Sequence, residues 1–174
     1  TIESTNTTYT TLTYTATSAT TLGELGFAEN ETGTITLSNG NSTTVSAGTQ
    51  ISDLKTWLNN RNVSFSIDGN GVVTLGSNSA GTFVTSATSN LANALHIEVG
   101  YGETYTSDVS FTGATTATKF SQLGLASGNY TIQTSRGDCV FTVSENTTIG
   151  NLVTALNNTL DDDIVSFTNS ELLI

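Results

Sequence analysis

Residues 51–60 read ISDLKTWLNN and residues 149–158 read IGNLVTALNN, 98 positions apart, with six of the ten residues identical. A duplication of this kind restricts the fold more than any other feature of the chain, because the architecture must be one that can be built twice from the residues both copies keep. The same offset of 98 recurs upstream, where Leu25-Gly26 matches Leu123-Gly124. Between these anchors the spacing slips and recovers. ENETG follows Ala28 where SG follows Ala126, and the second copy is longer around Ser135-Arg136-Gly137-Asp138. Compensating length changes at turn-like residues are expected of loops on a shared scaffold. Tyr9 to Thr21 (YTTLTYTATSATT) also resembles Tyr105 to Thr118 (YTSDVSFTGATTAT), so each unit includes a Thr-rich strand ahead of its Leu-Gly anchor.

Within one unit the periodicity changes twice. Thr34 to Leu37 and Thr43 to Ser46 alternate as short strands around the turn Ser38-Asn39-Gly40-Asn41, where Asn-Gly suits positive φ. Ile51, Leu54 and Leu58 then fall at i, i+3 and i+7, one face of a helix, with Thr49 as the expected N-cap and Asp53 near the positive end of the dipole. Val63, Phe65 and Ile67 return to a period of two, Asp68-Gly69-Asn70-Gly71 turns the chain, and Val72 to Leu75 comes back. The second copy gives the same order. Tyr130 and Ile132 lead to Cys139, Phe141 and Val143, then to a helical stripe of Ile149, Leu152, Val153 and Leu156, then to Val165, Phe167 and Leu172 to Ile174. The expected fold is therefore α+β, mostly β, with two tandem ββαββ modules joined by Thr-rich strands. The boundaries follow: a leading strand over 1–19, module one over 20–77, a connecting segment over 78–117 and module two over 118–174. Leu91, Ala94 and Leu95 predict a short helical turn in the connector, and residues 101–112 a long strand.

Composition excludes several functions. Fifteen acidic against four basic residues give a net charge of −11, and Lys55, Arg61, Lys119 and Arg136 form no cluster. Such a surface repels nucleic acid and anionic lipid, so neither is an expected partner. No apolar run is long enough to span a membrane and no signal peptide is visible, which reads as a chain cut from something longer. Hydrophobic residues make up only 36% of the chain and a single cysteine rules out an intrachain disulfide, so small cores must hold the fold.

The chemistry-bearing side chains are few. His96 is the sole histidine and lies between Leu95 and Ile97; it reads as a structural or surface residue rather than the base of a Ser-His-Asp or Cys-His site. Cys139 alternates with Phe141 and Val143 and reads as a small buried hydrophobe. Asp161-Asp162-Asp163 lacks the alternating spacing of a calcium loop and reads as a solvated turn. One His and one Cys do not make a zinc site, and no carboxylate pair is singled out for glycoside hydrolysis. Trp57, where the second copy has Ala155, is expected to pack under a sheet rather than stack on a sugar. Asn-x-Ser/Thr triplets at Asn6, Asn30, Asn41, Asn62, Asn129 and Asn146 reflect composition. The expectation is a protein without catalytic residues, metal or cofactor.

The order Leu-Gly-apolar, strand pair, Ile-x-x-Leu-x-x-x-Leu-Asn-Asn helix, strand, Gly turn, strand resembles the flagellin insertion motif, found in flagellins and in the filament-capping hook-associated protein. The matching segments are Thr20 to Ser77 and Thr118 to Ile174, about two-thirds of the chain. Thr88 to Leu95 (TSNLANAL) resembles a segment that often follows the motif, except that His96-Ile97 stands where Gly-Leu is usual. The resemblance implies a structural, non-enzymatic, surface-exposed segment of a secreted bacterial flagellar protein. It implies extracellular placement on the flagellum or cell surface, and assembly with other flagellar subunits through parts outside this segment. Ser/Thr-linked glycosylation is part of the same implication. The alternative is a cell-surface adhesion module for a glycan or host protein, with Ala28 to Gly33 and Ser135 to Asp138 as contact loops because they differ between the copies. A hydrolase would need a concave pocket with two close carboxylates.

Overall fold

The computed structural model describes residues 10–77, 81–100, 104–134, 136–161 and 165–173. In chain order the elements are β1 (Thr10–Thr11), a 3-10 turn (Gly23–Leu25), β2 (Thr32–Leu37), β3 (Ser42–Ser46), α1 (Ile51–Asn59), β4 (Val63–Ile67), β5 (Val73–Ser77), β6 (Val84–Ala87) and α2 (Ser89–Leu95). They continue with β7 (Tyr105–Thr106), β8 (Gly128–Thr134), β9 (Gly137–Val143), α3 (Ile149–Leu160), β10 (Ser166–Thr168) and β11 (Glu171–Leu173). The strands pair antiparallel in small sheets. The architecture is α+β and mostly β. Among the described residues no helix is long and apolar enough to cross a membrane.

The chain forms two compact units, one of Thr15–Thr112 and one of Thr1–Tyr14 with Gly113–Ile174. In the first, β3-β2-β6 and β4-β5-β7 form the sheets. Period-two alternation buries Gly33, Ile35 and Leu37 on one face of β2. Ile51, Leu54 and Leu58 of α1 are fully buried against that core, while Trp57 is half-buried beside it under the Arg61 guanidinium, 4.3 Å from the ring centroid. The N-cap of α1 is Gln50, not the expected Thr49. Gln50 N–H donates to the Asp53 carboxylate at 3.3 Å, and the Thr49 hydroxyl instead accepts from Ser46 N–H at 3.0 Å. In the β2–β3 turn only Gly40 takes positive φ (85°). In the β4–β5 turn the Asp68 carboxylate accepts from Asn70 and Val72 N–H, both at 2.9 Å. Gly71 follows at φ 74°, with its Cβ position only 2.6 Å from the Phe111 carbonyl oxygen, so no other residue fits.

In the second unit β8 and β9 form a hairpin, and β1-β11-β10 a three-stranded sheet. Cys139, Phe141 and Val143 point inward from β9. Its core is divided. Ala114, Phe120, Phe141, Val143 and Ile149 pack in one cluster, with Phe120 and Phe141 edge-to-face at 5.8 Å; Cys139, Leu156, Leu160 and Val165 pack in another.

Several hydrogen bonds around the two Leu-Asn-Asn segments recur at matching positions. Thr17 N–H donates to the Thr20 hydroxyl at 2.9 Å, and Thr115 N–H to Thr118 at 2.8 Å. Thr21 N–H donates to the Glu24 carboxylate and Lys119 N–H to the Gln122 amide oxygen, each at 2.7 Å. Leu22 N–H meets Thr49 O as Phe120 N–H meets Thr147 O, both 2.9 Å. Ile51 N–H meets Thr20 O and Ile149 N–H meets Thr118 O. The first Asn of each Leu-Asn-Asn receives the next strand: Asn59 accepts from Phe65 N–H at 3.2 Å, and Asn157 from Val165 N–H at 2.8 Å.

The unit boundaries fall after Tyr14 and Thr112 rather than at 19, 77 and 117, and the reason is a crossover. The chain ahead of each copy completes the other. Phe111 N–H donates to Gly71 O and Phe111 O accepts from Ala16 N–H; Leu12 N–H donates to Ser170 O and Leu12 O accepts from Ala114 N–H. β7 extends the sheet of β5, and β1 that of β11. The connecting segment expected over 78–117 instead adds β6, α2 and β7 to the first unit: β6 pairs with β2, and Val84, Leu91, Ala94, Leu95 and Ile97 join its core. The long strand expected over 101–112 is only Tyr105–Thr106 among the described residues.

Candidate functional site

Among the described residues a concave feature lies in the first unit, at the C-terminal end of α2. Leu91, Ala94 and Leu95 bury one side of this helix. It ends at His96, whose backbone is left-handed (φ 50°) and whose N–H reaches Asn93 O at 3.2 Å, while Ile97 N–H reaches Ala92 O at 3.1 Å. Glycine is the usual residue for such a closure, and a side chain there carries a steric cost of about 1–2 kcal/mol. The imidazole makes two contacts there. Its Nδ1 lies 2.8 Å from an Asp108 carboxylate oxygen, and its ring meets Phe111 edge-on at 5.7 Å. Asp108 N–H also donates to His96 O, so the end of α2 and the segment after β7 are tied by main chain and side chain together.

Ala92, Asn93, His96, Ile97, Glu98, Tyr105, Thr106 and Asp108 line an open groove of about 550 Å³ here. A second groove of about 440 Å³, which shares Asn93 and His96 with the first, is lined by Leu25 to Ala28, Glu31, Asn90, Asn93, Ala94 and His96. Asn90 Nδ2 donates to the Glu31 carboxylate at 2.9 Å and holds that loop to the helix. The first groove offers two carboxylates, an imidazole, an amide and an aromatic ring to a polar ligand. Among the described residues no hydroxyl or thiol bonds to His96. Both members of the His96–Asp108 pair are solvent-exposed, the histidine by 43% and the aspartate by 80%.

Of the residues singled out in the sequence, His96 is at the surface as described. Cys139 is buried among Leu156, Leu160 and Val165. Asp161 closes α3 in the left-handed conformation (φ 53°), its N–H on Asn157 O; Asp162 and Asp163 lie outside the described residues, as does Ser135 of the second variable loop. Arg136, in that loop, donates to Leu160 O. Ala28 and Glu31 of the first variable loop line the second groove. No group of three or more His, Cys, Asp or Glu is placed to hold a metal among the described residues. Glu98, Tyr105 and Asp108 carry no signal in the sequence. The one cue to this place was His96 standing where a helix-closing glycine was due. Comparison of the chain with protein-family models, with curated proteins and with solved structures gives no match.

Proposed function

We propose that this chain is a structural, non-enzymatic, surface-exposed segment of a secreted bacterial flagellar protein, built from two ββαββ modules of the flagellin-insertion type. The observation that carries the reading is the set of hydrogen bonds repeated at an offset of 98. The copies keep bonds that fix backbone shape and vary a surface loop, as in ENETG against SG. Retained framework with varied exterior is the pattern of a spacer whose shape matters and whose surface is free to differ. Its work is steric: small self-supporting modules project an acidic, Thr-rich surface and leave assembly to other parts of the protein. Antibodies raised against this chain test the placement. Immunogold label along or at the tip of sheared filaments from the producing bacterium is the expected result. Label confined to the cell wall overturns it.

The groove beside α2 favours one second reading, an adhesion module for a glycan. Tyr105 supplies an aromatic face, and Asn93, Glu98 and Asp108 supply hydrogen-bonding groups. The net charge of −11 directs this reading to neutral or amine-bearing sugars. A glycan array that gives hits lost in Tyr105→Ala supports it, and an empty array removes it.

A further inference from the structure

The two hairpins that open the modules occupy equivalent places but are not equally covered. Val45 opposite Gly33 corresponds to Val143 opposite Gly128, which aligns Ile35 with Tyr130 and Leu37 with Ile132. In the first unit the outer edge of β2 is occupied by β6, with Ile35 facing Ala87 and Leu37 facing Val84, and Thr88 N–H continues the ladder to Thr34 O at 2.9 Å. Among the described residues no strand pairs with the corresponding edge of β8. The positions that α2 and β6 help to bury are open as well. Phe27 is 3% exposed and its counterpart Leu125 is 36% exposed; Ile35 and Leu37 are buried, while Tyr130 and Ile132 are half-buried.

The glycines make the case specific. A Cβ on Gly33 would stand 3.0 Å from the Leu91 Cβ and 3.1 Å from the Thr88 hydroxyl, so α2 can dock only where β2 has no side chain. β8 keeps a glycine at the matching position, Gly128, although a Cβ there would meet nothing nearer than the Tyr130 ring at 3.9 Å. Close approach by another backbone or side chain is one of the uses of glycine in a strand, and Gly128, at the first position of β8, has no neighbour here that requires it. β8 (GNYTIQT) also has no charged residue or proline of the kind that blocks edge pairing. Thr82 to Leu95 (TFVTSATSNLANAL) has none either, so the two surfaces meet without like-charge repulsion in a protein of net charge −11.

We infer that the open edge of β8, with Gly128, Leu125 and Tyr130, is an acceptor site for a strand followed by a short apolar-faced helix, of the pattern of Val84–Leu95, supplied by a segment outside these two units. The inference rests on the equivalence of the two copies and not on the flagellar placement, so the immunogold result leaves it untouched. The test adds a synthetic peptide of residues 82–97 to the full chain and follows amide hydrogen exchange. The expected result is saturable slowing of exchange, tenfold or more, across Gly128–Thr134, with β2 unchanged. Gly128→Val should abolish the slowing while the β8–β9 hairpin keeps its cross-strand signals, since the new side chain fills the helix seat and touches little else. A peptide carrying Leu91→Glu should fail on the unaltered protein, which keeps the test valid if the valine variant does not fold. No protection of β8 at the solubility limit of the peptide overturns the inference. So does protection that survives both changes, or protection that arises from dimerisation of the chain without peptide.

Discussion

Among the described residues, the Thr15–Thr112 unit gathers seventeen buried hydrophobic side chains into one cluster, whereas the other unit has five in one cluster and four in a second. The shared elements do not account for the gap. Val84, Leu91, Ala94, Leu95 and Ile97 of the larger cluster come from β6, α2 and the residues just after it, which have no counterpart among the described residues of the second unit. The difference teaches that the elements common to both units do not by themselves close a single core among the described residues. The added strand and helix, with Ile97, supply five of the seventeen buried side chains of the larger one.

Four experiments break or sharpen this contrast. The largest effect is expected from Leu58→Ala and Leu156→Ala, equivalent and fully buried positions, which should cost about 2–5 kcal/mol, with Leu156 at the lower end because its cluster is smaller. Calorimetry should show two thermal transitions, each variant lowering only one; a single transition shifted equally by both would contradict the independence of the cores. Next comes Gly71→Ala, which forces a side chain into a left-handed position against the Phe111 carbonyl and should cost about 1–3 kcal/mol. The matching Ser170→Gly relieves a positive φ (65°) and gives up a hydrogen bond to Ala114 O, so denaturant titration should place it within about 0.5 kcal/mol of the parent. A smaller asymmetry separates the asparagines. Asn157 both accepts from and donates to Val165, Asn59 only accepts from Phe65, so Asn157→Ala should cost about 1–2 kcal/mol and Asn59→Ala about half that.

The smallest effect is a pH dependence confined to the larger unit. Backbone N–H donation from Val72 and Asn70 holds the Asp68 carboxyl below the usual carboxylate range. A depressed folded value means that its stabilisation is present above that range and lost as pH falls through the lowered value. Asp68→Asn should therefore flatten the acid side of the first unit's stability profile. The second unit turns through Asn169-Ser170 and should show no change.

The helices were legible because apolar residues at helical spacing mark their inner sides, Ile51, Leu54 and Leu58 in α1 and Ile149 and Leu156 in α3, and the hairpins because period-two alternation flanks Gly-rich turns. The crossover was not legible. A Thr-rich strand has the same appearance whichever sheet it joins, and its partner is chosen by main-chain bonds such as those of Leu12 and Phe111, which leave no mark in side-chain pattern. The helix cap moved by one residue because Thr49 and Gln50 both have a side-chain oxygen, and the turn to β3 had already engaged Thr49. Of the groove beside α2, only His96 was visible in advance. Asp108 lies twelve residues on in an ordinary polar stretch, and only the docking of that stretch on the helix brings the pair together.

The pairing of β1 with β11, Thr10 opposite Leu172 and Thr11 opposite Glu171, has a mechanical consequence. The strands run antiparallel, so tension applied outward from Thr10 and from Leu173 pulls from the same end of the ladder. Load reaches the hydrogen bonds one after another, and the strands peel apart rather than slide. Entry and exit of the path lie about 5 Å apart at that point. Force applied across these two ends is therefore released at the β1–β11 ladder before it strains the interior of the unit that holds it.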